Sequence, residues 1–309
     1  MIDGTGRTLD QEANAAANDA ARDAREEVFA RAKKTGKKAS KKSDDGISKV
    51  AKRASKSKDG WKSFVVDVWL TDLNPTEFGV YKRQRNRAKS RQFTTDMDIY
   101  AEIIEEGKRT GLLGFRKDLW NDNKGMDRRL VFKMFSDKLN WRATMDLMIG
   151  RSLQLTMGAR GLPATAYAIN TAHDDYIIYL ERSANKWPFL PEHFSFFLMK
   201  DGKPEFFRLK RALINLGGDY TLYNQRNEII GYVDGKLLSL AGKWRGTVKE
   251  EYADTKMMAT MKMFAGLIIF NRATRWHMWR LWHDVVDGRL EPSLERHEGD
   301  LYMNPRRVR

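Results

Sequence analysis

Cysteine is absent from the 309-residue chain, and histidine occurs only five times. Without cysteine there are no disulfides, thiolate zinc sites, iron–sulfur clusters or cysteine nucleophiles, and a stapled secreted scaffold is a poor fit. The expectation is an intracellular, reducing compartment, cytoplasmic or peripheral at a membrane, with an organelle matrix left open. Among His173, His193, His277, His283 and His297 only His277 and His283 are close in sequence. A spacing of six does not put two ligands on one helix face, so no metal site is expected. Long apolar runs are missing as well. The longest, Met263 to Phe270, includes Gly266 and is far short of the roughly 18 residues of a spanning helix, so no transmembrane span is expected. Asp3, Asp10, Glu12, Asp19, Asp23, Glu26 and Glu27 argue against an ordinary targeting peptide, an already processed or bacterial chain staying open. No Walker-type loop, Gly-x-Ser-x-Gly elbow or EF-hand loop occurs, and Asp174-Asp175 and Glu250-Glu251 read as solvated surface acids. Hence no catalytic residue and no cofactor are assigned, and a non-enzymatic role is expected.

What is present is a large apolar fraction, 41% with fifteen Phe and nine Trp, enough to fill a sizeable core. The net charge is +15 and it is localised. Residues 31–58 hold twelve Lys or Arg against Asp44 and Asp45, and residues 82–93 hold six against none, so the rest is close to neutral. Blocks of like charge repel themselves and attract phosphates or acidic surfaces. Lys33, Lys34, Lys37, Lys38, Lys41, Lys42, Arg83, Arg85, Arg87 and Arg91 are therefore the candidate polyanion-binding residues. The plainer reading of the first run is a solubilising tail. In the second, Arg83, Arg85, Arg87, Lys89 and Arg91 occupy every second position. In an extended strand they would share one face, where guanidinium forks suit RNA phosphates or lipid headgroups; in a loop the alternation is accidental.

Composition divides the chain into a polar helix (about Leu9 to Ala32) with a disordered basic arm (1–60), a mixed α/β region (61–155), a β-rich region (156–290) and a tail (291–309). Whether 61–155 is a separate domain stays open. Trp61 to Leu70 reads as a strand or anchoring segment. Thr94, Thr95 or Asp96 is placed to cap a short helix with Ile99, Ile103 and Ile104, ended by Gly107. Leu130 to Ile149 is expected to form one or two amphipathic helices. Thr165 to Ile169 and Tyr176 to Leu180 read as strands.

From His193 onward the pattern is that of hairpins. Asp201-Gly202 and Asp234-Gly235 are expected to supply primed turns, and Leu213 to Tyr220 aligns with Leu237 to Trp244 at an offset of twenty-four. Such repetition means that one supersecondary unit is used twice. Asp234-Gly235-Lys236-Leu237-Leu238-Ser239-Leu240 resembles the LURP-one-related branch of the tubby-like superfamily, which shares its fold with phospholipid scramblases. The resemblance covers the C-terminal half. It implies a closed antiparallel barrel around a hydrophobic helix, for which residues 256–270 are the candidate, and a link to anionic phospholipid. Lys262 and the nearly forty residues after Phe270 depart from the family pattern. Those residues include Trp276, Trp279, Trp282 and His283, spaced for one helix face. This stripe either packs on the barrel or forms, with Arg275 and Arg280, an interface; Trp276, Trp279, Arg280 and Trp282 are the candidates.

The expected fold class is therefore α+β: an antiparallel hairpin barrel of tubby-like type with a buried helix, preceded by a mixed helical region and a disordered basic arm. The expected function is a non-catalytic binding or scaffold protein at an acidic phospholipid surface. The alternative is a structural subunit of a larger protein or RNA assembly whose arm orders among phosphates or partner subunits.

Overall fold

A two-residue link between strands forces antiparallel neighbours, and this chain has one at residues 106–107 and another at 201–202. A computed structural model describes residues 60–68, 92–93, 97–172, 176–184, 191–200, 202–212, 219–235, 242–292 and 298–299. Its strands are β1 (Trp61–Val68), β2 (Met97–Glu105), β3 (Lys108–Arg116), β4 (Val131–Ser136), β5 (Trp141–Leu147), β6 (Thr165–Thr171), β7 (Ile178–Arg182), β8 (His193–Lys200), β9 (Lys203–Arg211), β10 (Tyr220–Tyr223), β11 (Ile229–Gly235) and β12 (Lys243–Lys249). The helices are α1 (Lys117–Asn121), α2 (Ile149–Gly158), α3 (Thr255–Leu267) and α4 (Asn271–Val286). The strands pair in order, and β1 closes the ring by pairing with both β2 and β12: Val65 faces Ile104 on one side and Arg245 on the other. A closed antiparallel barrel leaves no edge to be protected. Residues 61–155 supply its first five strands, so the boundary expected at 155/156 falls inside the ring.

The hairpin expected at Asp201-Gly202 is present, with Lys200 paired to Lys203 and Gly202 at φ +75°. Asp234-Gly235 is not a turn. Both residues continue β11, opposite Arg245 and Trp244, and the link to β12 comes after them. Of the matching repeats, residues 213–218 and 236–241 lie outside the described residues, while Tyr220 and Trp244 each stand at or beside the start of a strand and pack on the core.

Two helix expectations are corrected. Residues 97–105 form β2, and Glu106 (φ 50°) with Gly107 (φ 75°) makes the turn into β3. Register shifts at Ile99/Ala101 and Ile103/Ile104 interrupt the two-residue alternation, which is why the isoleucines fall at helix-like intervals. The expected caps, 94–96, lie outside the described residues. Residues 131–147 form the β4–β5 hairpin. Here both faces are apolar: Met134 and Met145 join the main core, whereas Phe135 packs outside the ring with Phe93, Ile99, Leu112 and Leu139. A strand covered on both sides loses the alternation that identifies it.

Helix α3 follows the last strand. Asp254 caps it, its side chain accepting from the Met257 N–H at 2.7 Å. Ten of its thirteen residues are buried, as suits a helix apolar on nearly every side. It approaches β1, β5, β6 and β12. Phe264 meets the rings of Phe194 on β8 and Tyr220 on β10 at 5.0 and 4.9 Å. Gly266 passes so close to Tyr100 and Leu113 that a Cβ there would stand 2.6 Å from each. Lys262, which interrupts the apolar surface, donates to Glu105 at 2.9 Å. Each large side chain buried in this way contributes about 1.5–3 kcal/mol. Beyond α3, Phe270 packs against Tyr100, Phe115 and Phe132 at 5.1–5.5 Å and so fixes where α4 begins.

Candidate interface on the C-terminal helix

Helix α4 is amphipathic in its spacing. Asn271, Thr274, His277, Met278 and Leu281 are buried, with Met278 and Leu281 in the main core, while Arg272, Ala273, Trp276 and Arg280 are exposed. One face thus holds the helix to the barrel and the other meets solvent. Trp276 is 58% exposed and stacks on Trp279 with ring centroids 4.7 Å apart and planes 22° from parallel. His283 closes edge-on to Trp279 at 4.1 Å.

Trp282 belongs elsewhere. Its indole lies over Gly161, where a Cβ would come within 2.6 Å of the ring, and it packs on the core. Gly161 also sits at φ +84°, so that position tolerates only glycine in two respects. The expectation of one shared face is therefore corrected. At 3.6 residues per turn, six residues rotate a side chain by about 120° out of register. Trp276, Trp279 and Arg280 form the outer surface, and Trp282 is an anchor. Lys33, Lys34, Lys37, Lys38, Lys41, Lys42, Arg83, Arg85, Arg87 and Arg91 all lie outside the described residues.

His277 is edge-on to Trp120 at 5.9 Å. Burial first, then Arg128 and Arg280, pushes its imidazole down to about 3. Among the described residues no group of three or more His, Asp or Glu side chains is placed to hold a metal ion, and no helix is long and apolar enough to cross a membrane.

A polar junction escaped the sequence reading. Glu192, just before β8, is 5% exposed. Its Oε1 accepts from Arg182 Nε on β7 and from Asn271 Nδ2 at 2.8 Å; its Oε2 accepts from the Tyr220 hydroxyl at 2.8 Å, with Arg211 Nη1 at 3.7 Å. Burial alone would raise the Glu192 carboxyl, but Arg182 and the donated hydrogen bonds hold it below its ordinary value. Burial and then Glu192 push the Tyr220 phenol up. Arg275, one turn beyond Asn271, is half-buried, and its Nε is buried with no hydrogen-bond partner. Burial, with Arg182 and Arg211, holds that guanidinium below its usual range. These residues come from β7, the β8 approach, β9, β10 and α4, so no local sequence pattern links them.

A cleft of about 410 Å³ lies beside the first turns of α3, lined in part by Lys62, Glu105, Asp137, Arg142, Asp254 and Lys262. Its charges are balanced, and Glu105 is already engaged by Lys262 and by the Thr110 hydroxyl at 2.6 Å. Burial would raise Glu105, yet the bonds from Thr110 and Lys262 hold it below its ordinary value. Compared with protein-family models, with curated proteins and with solved structures, the chain gave no match.

Proposed function

We propose that the chain is a non-catalytic binding protein: a barrel of tubby-like type around α3 that serves as a platform and meets acidic phospholipid at a membrane surface. The observation that carries this reading is the outward Trp276–Trp279 stack, with Arg272 and Arg280 also exposed, on a helix whose opposite face is fixed to the barrel. Indole rings favour the headgroup level of a bilayer because they are apolar with one polar handle. Each nearby Arg adds about 1 kcal/mol of attraction to an anionic leaflet. Since α4 is already helical and anchored, docking costs little ordering entropy. The basic segments 31–58 and 82–93 supply long-range attraction to the same surface. The twelve-strand antiparallel ring and the apolar helix after its last strand support the tubby-like reading.

The test is sedimentation of the full chain with vesicles. Pelleting is expected with acidic and not with neutral lipid, weakening roughly tenfold in W276A/W279A and about fivefold in R280Q. Equal pelleting on both lipids sinks the reading. RNA binding of steep salt dependence without vesicle binding sinks it in favour of a nucleoprotein subunit.

A further inference from the structure

The junction beneath α4 carries more positive charge than its own structure uses. Three guanidinium groups, Arg182, Arg211 and Arg275, share one carboxylate, Glu192. Arg182 is held at three points: besides Glu192, it donates to the Pro163 carbonyl at 2.7 Å and the Ser183 carbonyl at 3.2 Å. Glu192 accepts two hydrogen bonds at Oε1 and one at Oε2, from Tyr220. Arg211 is different, being 46% exposed and only loosely engaged at 3.7 Å. Arg275 is the anomaly. A half-buried cation with a buried, unpartnered Nε is costly, and a group so placed calls for an acceptor. The Asn271 Oδ1 one turn earlier is also unpartnered, but as a neutral amide it would leave the charge surplus in place. Asp219, next to Tyr220 in sequence, accepts from the Gly235 N–H at 2.9 Å through Oδ1.

We propose that Arg275 and Arg211 form a binding site for a phosphate group at this rim of the barrel, with Arg182 and Glu192 as its fixed floor. Two guanidinium forks from different elements can engage several oxygens of one tetrahedral anion. Arg182, held by Glu192 and two carbonyls, adds positive potential without moving. The site deepens the membrane reading, since Arg275 adjoins Trp276 on α4; the same phosphate chemistry comes from a lipid headgroup or from a free phosphate.

The test uses the full chain and inorganic phosphate. Because a ligand that binds only the folded state stabilises it, phosphate is expected to raise the thermal midpoint beyond the effect of chloride at equal ionic strength. R211Q and R275Q should each weaken that response at least about tenfold, while R280Q, which removes the same charge from the exposed face, should keep it. Should R275Q fail to fold, the half-exposed R211Q carries the test. A wild-type response no larger than that of chloride, or the same response in R211Q as in R280Q, overturns the site. Vesicles at matched surface charge then separate the sources. A headgroup site makes binding stronger to a phosphomonoester lipid than to a phosphodiester lipid and lets free phosphate compete. A free-phosphate site leaves vesicle binding indifferent to R211Q. Vesicle binding without any specific phosphate response would overturn the site and leave the membrane reading standing.

Discussion

At the scale of single residues, buried charge and burial of imidazole set measurable pH and stability effects. His277 is 4% exposed and its folded value lies well below the ordinary imidazole value. The unfolded chain therefore takes up a proton that the folded chain refuses, so stability is full above about pH 6.5 and falls with pH toward about 3, at up to about 1.4 kcal/mol per pH unit. Urea unfolding should show this slope between about pH 6.5 and 4.5, and H277L should flatten it. Glu105 acts lower on the scale. Its folded value is depressed, so its contribution is present above about 4.3 and is lost as pH falls through the folded value. E105Q leaves the Lys262 ammonium, 14% exposed, without its carboxylate. Because Glu105 keeps 28% exposure, the cost should fall at or below the low end of about 3–5 kcal/mol, and replacing both partners together in E105L/K262M should be close to neutral.

At the scale of elements, α3 and α4 make opposite demands. Phe264 is fully buried between Phe194 and Tyr220, so F264A should cost about 3–5 kcal/mol in chemical unfolding. On α4 the tryptophans should separate: W276A within about 0.5 kcal/mol of wild type, W282A several times more costly, with the reverse ranking for vesicle binding. Equal destabilisation by the two would contradict the division of faces. Which elements were legible follows from the same physics. Hairpin β8–β9 alternates inward Phe194, Phe196 and Leu198 with half-exposed neighbours and carries a glycine turn, so its pattern is local. Strands β2 to β5 hide theirs, through bulges and an outer apolar layer. Of the tryptophan stripe only the residues themselves were legible, since their spacing left packing on the barrel and exposure both open; the Arg275 junction was not, since its members meet only when five distant segments close together.

At the scale of the molecule, closure ties stability to a single seam. Removing residues 60–68 would free one edge of β2 and one of β12. Such a variant should self-associate, and light scattering at rising concentration checks it. The position of α3 has a temporal side. During synthesis at about 5–20 residues per second, β12 follows β1 by roughly 10–40 s, and α3 is made only afterwards. A nascent ring that sealed early would close before α3, ten of whose residues are buried, had been made, so the β1–β12 seam must wait for a segment translated after every strand. Chaperones that cover apolar strands on the ribosome would therefore meet this chain as an open curl, for most of the time it takes to make it.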